Sequence, residues 1–571
     1  MKSILSAVFV VLSSAACAAE TGVLRFWWNE DEADDGQVNG IADRENFFPL
    51  LLDIGTFVNA WRGDVVSFRL RGNGAVNVAW TDMSRTDVWA LYRSDEVRAG
   101  EGFDAGLDAA PVVQVTPDGI DIPRGVIARI RGGRDVVMAC EVRPGARAGV
   151  VAFEAAVGGQ VVFRSPMGCL ASAVADMYHW INLRHVSGER EEVPTMRSPP
   201  ANADWSDDLP HVFFVHGANV SEAESRVWCA RMFKRLYLSG AKMRFHGVSW
   251  RSQVAGAADY HLNASNAFDV AAHLAANVNA FDGRKVVIAH SLGTMLTANA
   301  VQFFGMQVDK VIFLNSAIPS EALDPDRFDA SPSSPLVHDA WRDYPSSCWT
   351  SLYHALGPSG TSRAKLTWRN RYPSVAPLLF NMYSSGDEVL SLYSGDGNPG
   401  WSDGLWSSGA LGARYAWQKQ ELWKGRAAWY AGVGTTAWSG WGFRTGALGG
   451  RVWSADDANA VADPLVFATN TVFSPFPPSI TNAVLSEAEV SAHLTQGVPA
   501  LSRALGSVAV FSDSGMLSYD MNEKSDVERP NDWPNDFKDF GKDWLHSDIK
   551  DVPYYFTYPK FDVMVEQGGL K

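Results

Sequence analysis

Ser291 lies at the centre of Ala289-His290-Ser291-Leu292-Gly293, with small residues two places before and two places after the serine. A strand that turns sharply into a helix with a hydroxyl at the apex needs that spacing. This is the nucleophile elbow, here with alanine for the first glycine. The apolar run Val286–Ala289 predicts a buried strand entering the turn, and 292–304 predicts a helix leaving it. A serine hydroxyl at neutral pH is a weak nucleophile. It needs a base to take its proton and a third group to hold that base. Downstream of Ser291 the chain offers His338, His354, His493 and His546 as bases. It offers Asp387 as the acid, with Glu388 in reserve, in Ser385-Gly386-Asp387-Glu388-Val389-Leu390 after the apolar run Leu378–Tyr383. Such a set attacks a carbonyl carbon and requires no metal or organic cofactor.

Upstream, Val212-Phe213-Phe214-Val215-His216-Gly217-Ala218-Asn219 reads as a buried strand ending in a His-Gly turn. With the elbow and the segments ADYHLNASNAF and WLHSDIK, this strand resembles the alpha/beta-hydrolase superfamily, in particular a group of secreted bacterial serine hydrolases of unassigned substrate. The resemblance covers about 210–395 and 470–571. It implies a mostly parallel sheet with helices on both faces and the chain order Ser291, Asp387, His546, the histidine lying near the C-terminus. It also implies an oxyanion hole made by the backbone N–H groups of Ala218 and Leu292, with Gly217 and Gly293 shaping the turns. His216 is expected to be a structural turn residue rather than the base. Trp250, Tyr260 and His261, in or near a loop after an early strand, are candidates for the substrate pocket. The resemblance implies hydrolysis without naming a substrate. The long interval from Asp387 to His546 departs from the family pattern.

The elements that would carry these residues fall into two regions. From 20 to 188, short runs at Val65–Arg71, Ala75–Trp80, Gly125–Arg131, Val136–Val142, Gly149–Ala155 and Gly159–Arg164 are punctuated by Gly, Pro, Asn and Asp, which predicts an all-β, sandwich-like domain. The polar, proline-rich stretch 189–210 is expected to be a linker. From 211 to 571, strand-like runs at His211–Val215, Val286–Ala289, Val311–Leu314 and Leu378–Tyr383 alternate with helical stretches at 221–239, 264–280 and 292–304, which predicts an α/β domain. An insertion at about 395–530 contains Trp401, Trp406, Trp417, Trp423, Trp429, Trp438, Trp441 and Trp453 interleaved with glycine. Two readings of it stand side by side: a lid offering flat faces to sugars or acyl chains, and a cap packed by its indoles.

The 571 residues carry 49 Lys+Arg against 64 Asp+Glu, a net charge of -15. That balance speaks against nucleic acid as a partner, because phosphate binding needs a basic footprint. Residues 1–19 read as a signal peptide, with Lys2, an uncharged run Ile4–Leu12 and a small-residue site at Ala16-Cys17-Ala18. Export with cleavage is expected, ahead of lipid anchoring at Cys17. Cys140, Cys169, Cys229 and Cys348 then remain, and an exported compartment permits disulfides, with Cys140–Cys169 the first pair to examine. Asp31, Asp34 and Asp35 lie in an acidic stretch that vaguely resembles the calcium loops of thrombospondin type 3 repeats. It lacks their regular spacing, and a solvated loop is the preferred reading.

The functional expectation is therefore an exported esterase or lipase-like hydrolase acting on a small-molecule, lipid or glycan ester, with peripheral association with a surface or membrane as an option. An amidase or peptidase using the same triad is the nearest alternative. An inactive surface protein binding glycan or protein is the alternative from a different class.

Overall fold

A computed structural model describes residues 23–29, 44–61, 66–81, 92–93, 112–134, 136–146, 148–196, 208–254, 260–318, 320–323, 371–384, 387, 505, 517–522 and 544–571. The expected signal peptide, Asp31, Asp34, Asp35, Glu388, Cys348, His338, His354, His493 and the tryptophans of 401–453 lie outside these residues. The chain divides into two units, the first comprising the described residues up to Tyr178 together with Pro553–Tyr558.

The first unit contains β1 (Val23–Trp27), β2 (Phe47–Leu52), α1 (Gly55–Ala60), β3 (Val66–Gly72), β4 (Val76–Trp80), β5 (Val112–Gln114), β6 (Ile120–Asp121), α2 (Arg124–Arg131), β7 (Val136–Val142), β8 (Ala148–Val157) and β9 (Gln160–Ser172). Two sheets result, in the orders β1-β9-β8-β3-β6 and β2-β7-β4-β5. All pairings are antiparallel except β1 with β9. Alternation sets the faces: Phe68 and Leu70 of β3 are buried, whereas Arg69 and Arg71 between and beyond them are half-buried. Gly158 and Gly159 join β8 to β9 with φ of 57° and 82°, as a tight two-residue hairpin requires.

Two expectations for this unit are corrected. Gly125–Arg131 is not a strand but most of α2. Val126, Ile127 and Ile130 are its buried residues, a helical rather than a two-residue period. Pro123 stands at its N-cap, and Gly132 follows its last turn. Cys140 and Cys169 are free, buried thiols rather than a disulfide, Cys140 on β7 and Cys169 on β9, in different sheets. Burial raises both thiol pKa values, that of Cys169 to about 11, so they act as small apolar side chains.

The second unit is built on β10 (His179–Asn182), β11 (His211–Val215), α3 (Glu222–Leu238), β12 (Arg244–Ser249), α4 (Tyr260–Asn279), β13 (Lys285–His290), α5 (Gly293–Phe304), β14 (Lys310–Leu314), β15 (Leu379–Tyr383), β16 (Leu517–Asp520), α6 (Asp548–Asp551) and, for most of its length, α7 (Tyr554–Gln567). The seven strands form one sheet in the order β10-β12-β11-β13-β14-β15-β16, parallel throughout. The chain is thus a mixed α/β protein, with a seven-stranded parallel sheet flanked by helices in the second unit and two largely antiparallel sheets in the first. The central strands β11 and β13 are buried along their whole length, as strands covered on both faces must be. A capping box starts α3: Ser221 Oγ accepts from Glu224 N–H, and the Glu224 carboxylate accepts from Ser221 N–H.

The unit begins earlier than the expected boundary at 188, because His179–Asn182 pairs with β12. Residues 189–196 of the expected linker are also part of this unit. Met196 N–H donates to Trp180 O, and the Glu222 carboxylate accepts from Glu192 and Val193 N–H. Among the described residues no helix is long and apolar enough to cross a membrane.

Candidate active site

The C-terminal ends of β11, β13, β14 and β15 bring the chemistry together. At the end of β13, Ser291 has φ of 51°, a left-handed conformation that a non-glycine residue adopts only where its surroundings impose it. The surroundings do so through hydrogen bonds. Ser291 N–H donates to Leu314 O at 3.0 Å, and Thr294 Oγ1 donates to Ser291 O at 2.5 Å. Two glycines let the β11 turn close on the elbow. A Cβ on Gly293 would lie 2.6 Å from Val215 O and closer still to His216 O, and one on Gly217 would lie 2.7 Å from Ser291 Cβ. Because the obstructing atoms at residue 293 are backbone, Gly293→Ala is expected to destabilise the fold by about 1–3 kcal/mol and to displace the elbow. Thermal unfolding and turnover of the variant check this together.

His546 follows Trp544 and Leu545 just ahead of α6. Its Nδ1 is 2.7 Å from Asp387 Oδ2, and its Nε2 is 2.8 Å from Ser291 Oγ. A carboxylate only accepts, so Nδ1 carries the proton and Nε2 is left to accept from the serine hydroxyl. Asp387 is fully buried, and Ser291 and His546 are nearly so. Asn315, at φ 46° just beyond β14, donates from Nδ2 to the same Asp387 oxygen at 2.8 Å.

The long interval between Asp387 and His546 is closed by the sheet itself. β16 pairs with β15, so Asn522, just beyond β16, comes to lie beside Ser384, just beyond β15. Asn522 Nδ2 donates to Ser384 Oγ at 3.0 Å, Asn522 Oδ1 accepts from Trp544 N–H at 2.7 Å, and Ser384 Oγ donates to Trp544 O. On the C-terminal side of His546, Arg235 of α3 donates to the carbonyls of Ile549 and Lys550, both at 3.0 Å.

Ala218 and Leu292 flank this site. Asn219 N–H is engaged by Ser252 O and Val220 N–H by Ser252 Oγ, both at 3.1 Å, whereas the N–H groups of Ala218 and Leu292 have no protein acceptor among the described residues. His216 is fully buried and turned into the fold. Its Nδ1 donates to Gly217 O at 2.9 Å, Trp250 N–H approaches its Nε2 at 3.3 Å, and burial lowers its pKa to about 3. It is a neutral turn residue.

Trp250 is fully buried, and its indole N–H donates to His216 O at 3.0 Å, bracing the turn. Tyr260 and His261 are the first two residues of α4, and their side chains are outside the described residues. Among the described residues no group of three or more His, Cys, Asp or Glu side chains is arranged to hold a metal ion.

Sequence reasoning missed Asn315, Ser384, Asn522 and Arg235, whose roles depend on contacts between distant strands and helices. The nearest signal was the position of Asn315 directly after an apolar strand, where a left-handed residue is often Asn. Compared with protein-family models and with curated proteins, the chain matches none.

Proposed function

We propose that the chain is an exported serine hydrolase of the alpha/beta-hydrolase type that cleaves a carboxylic ester, carried on a chain whose first unit is a β-sandwich. The observation that carries this reading is the hydrogen-bond relay from Asp387 through His546 to Ser291, with Ser291 on a strained strand-to-helix turn. A buried serine held at positive φ with its hydroxyl on a correctly protonated imidazole has a ready chemical use in acyl transfer and no evident structural one.

In this mechanism His546 Nε2 takes the hydroxyl proton as Ser291 Oγ attacks the ester carbonyl. Asp387 holds the imidazole in the Nδ1–H tautomer and stabilises the imidazolium that forms. The amides of Ala218 and Leu292 donate to the developing oxyanion. His546 then protonates the leaving alcohol, giving an acyl-Ser291 enzyme. A water molecule, deprotonated by the same nitrogen, releases the acid and restores the serine. The substrate class is a small-molecule, lipid or glycan ester. The reading is tested by turnover of p-nitrophenyl esters of graded chain length. Wild type is expected to hydrolyse at least one of them, and Ser291→Ala to lose about 10⁴-fold or more. Equal turnover by the two proteins overturns it.

A further inference from the structure

We infer that His290 is a positioning residue that ties the backbone of the catalytic histidine to the nucleophile elbow, an inference resting on the hydrolase reading above. His290 Nε2 lies 2.9 Å from the carbonyl oxygen of His546. A carbonyl only accepts, so His290 is the Nε2–H tautomer and its Nδ1 carries no proton. That Nδ1 is buried without a hydrogen-bond partner among the described residues. It faces Gly217, where a Cβ would stand 3.0 Å away. The indole of Trp228 meets the imidazole edge-on at 6.0 Å between centroids, and the Lys550 ammonium lies 3.9 Å over that indole. Burial, with His546, Lys550 and His216 nearby, keeps the ring neutral.

The consequence follows from connectivity. Ser291 and His546 are 255 residues apart, and the hydrogen bond between their reacting atoms breaks and re-forms in every catalytic cycle. The His290 bond involves neither reacting atom, so it persists while the proton moves. The backbone of residue 290 places Ser291 by covalent adjacency, and its side chain places the loop that carries His546. One residue therefore links nucleophile and base directly, fixing a distance for which a 1 Å error can cost about 100-fold in rate.

The test compares His290→Phe, which fills the space without a donor, with His290→Gln, whose amide N–H₂ can reach the position of Nε2. On the best p-nitrophenyl ester, His290→Phe is expected to lower kcat about 10–100-fold with KM changed less than about threefold, and His290→Gln to recover most of the loss. A folded His290→Phe enzyme with wild-type kcat, or a His290→Gln enzyme as slow as His290→Phe, overturns the inference. ¹⁵N-histidine spectra of the wild-type chain decide the hydrogen bond without reference to turnover. They are expected to show His290 protonated at Nε2 only and not titrating from pH 5 to 9, whereas an Nδ1–H tautomer or a titrating ring overturns it. If wild type turns over no ester, the hydrolase reading fails, and these spectra still decide whether His290 holds the His546 carbonyl.

Discussion

Asp387→Ala is expected to lower kcat about 10⁴-fold, the scale of removing the acid from a serine triad. Two donors converge on one oxygen of this carboxylate, His546 Nδ1–H at 2.7 Å and Asn315 Nδ2–H at 2.8 Å. Without it the imidazole loses the acceptor that fixes its tautomer and the charge that stabilises its protonated form. Both donors are also left unpaired in a buried site, at about 1–3 kcal/mol of stability. Glu388→Ala is the paired measurement, since Glu388 is the neighbouring carboxylate and Asp387 is the one that meets His546 Nδ1. It is expected to keep kcat within about threefold. Near-wild-type turnover in Asp387→Ala would remove Asp387 from the triad.

The second large effect is acid lability of the parallel-sheet unit. His211, His216, His246 and His290 are buried, and burial is the main cause lowering each pKa, to about 4 for His211, about 3 for His216 and well below the ordinary value for the other two. His211 Nδ1 and His246 Nε2 share one hydrogen bond of 2.7 Å, with Arg244 and Lys285 adding positive charge nearby. Protonating both rings would thus set like charges against each other in the core. In the unfolded chain these histidines take up protons as pH falls through about 6.5, while in the native chain they do not. The unfolded state therefore binds more protons, and stability decreases as pH falls. The loss begins near pH 6.5 and continues until the native rings themselves titrate, near pH 4 for His211 and near 3 for His216. Each fully differential proton contributes a slope of about 1.4 kcal/mol per pH unit, so several together consume much of an ordinary folding stability before pH 5. Thermal unfolding is expected to drop by about 10 °C or more between pH 7 and 5, and His246→Leu to flatten the slope. A melting temperature constant over that range would contradict the account.

How much of this was legible in the chain depended on whether the signal was local. The elbow strand and helix were readable because Val286–Ala289 and the residues after Ser291 carry their own burial pattern, and β13 and α5 lie within about two residues of the expected bounds. The His-Gly turn after β11 was readable for the same reason. Strand β16 was not, since Leu-Ser-Tyr-Asp is four residues with Leu517 exposed, and only its pairing with β15 makes it a strand. β10 was missed because His-Trp-Ile-Asn takes its place in the sheet from β12, more than sixty residues later. The contact of the Trp250 indole with a backbone carbonyl was not legible either, since an indole in sequence does not reveal what its N–H faces. Ser291, Asp387 and His546 could be ordered along the chain, but the tie from His290 to His546 exists only once β13 and the C-terminal loop are side by side.

The most direct test of the central claim is reaction of the purified chain with a fluorophosphonate probe, followed by peptide mapping of the modified residue. The account predicts a single adduct on Ser291, absent in Ser291→Ala and strongly slowed in His546→Ala. Labelling that survives in Ser291→Ala, or a folded wild-type chain that the probe leaves unmodified, would contradict it.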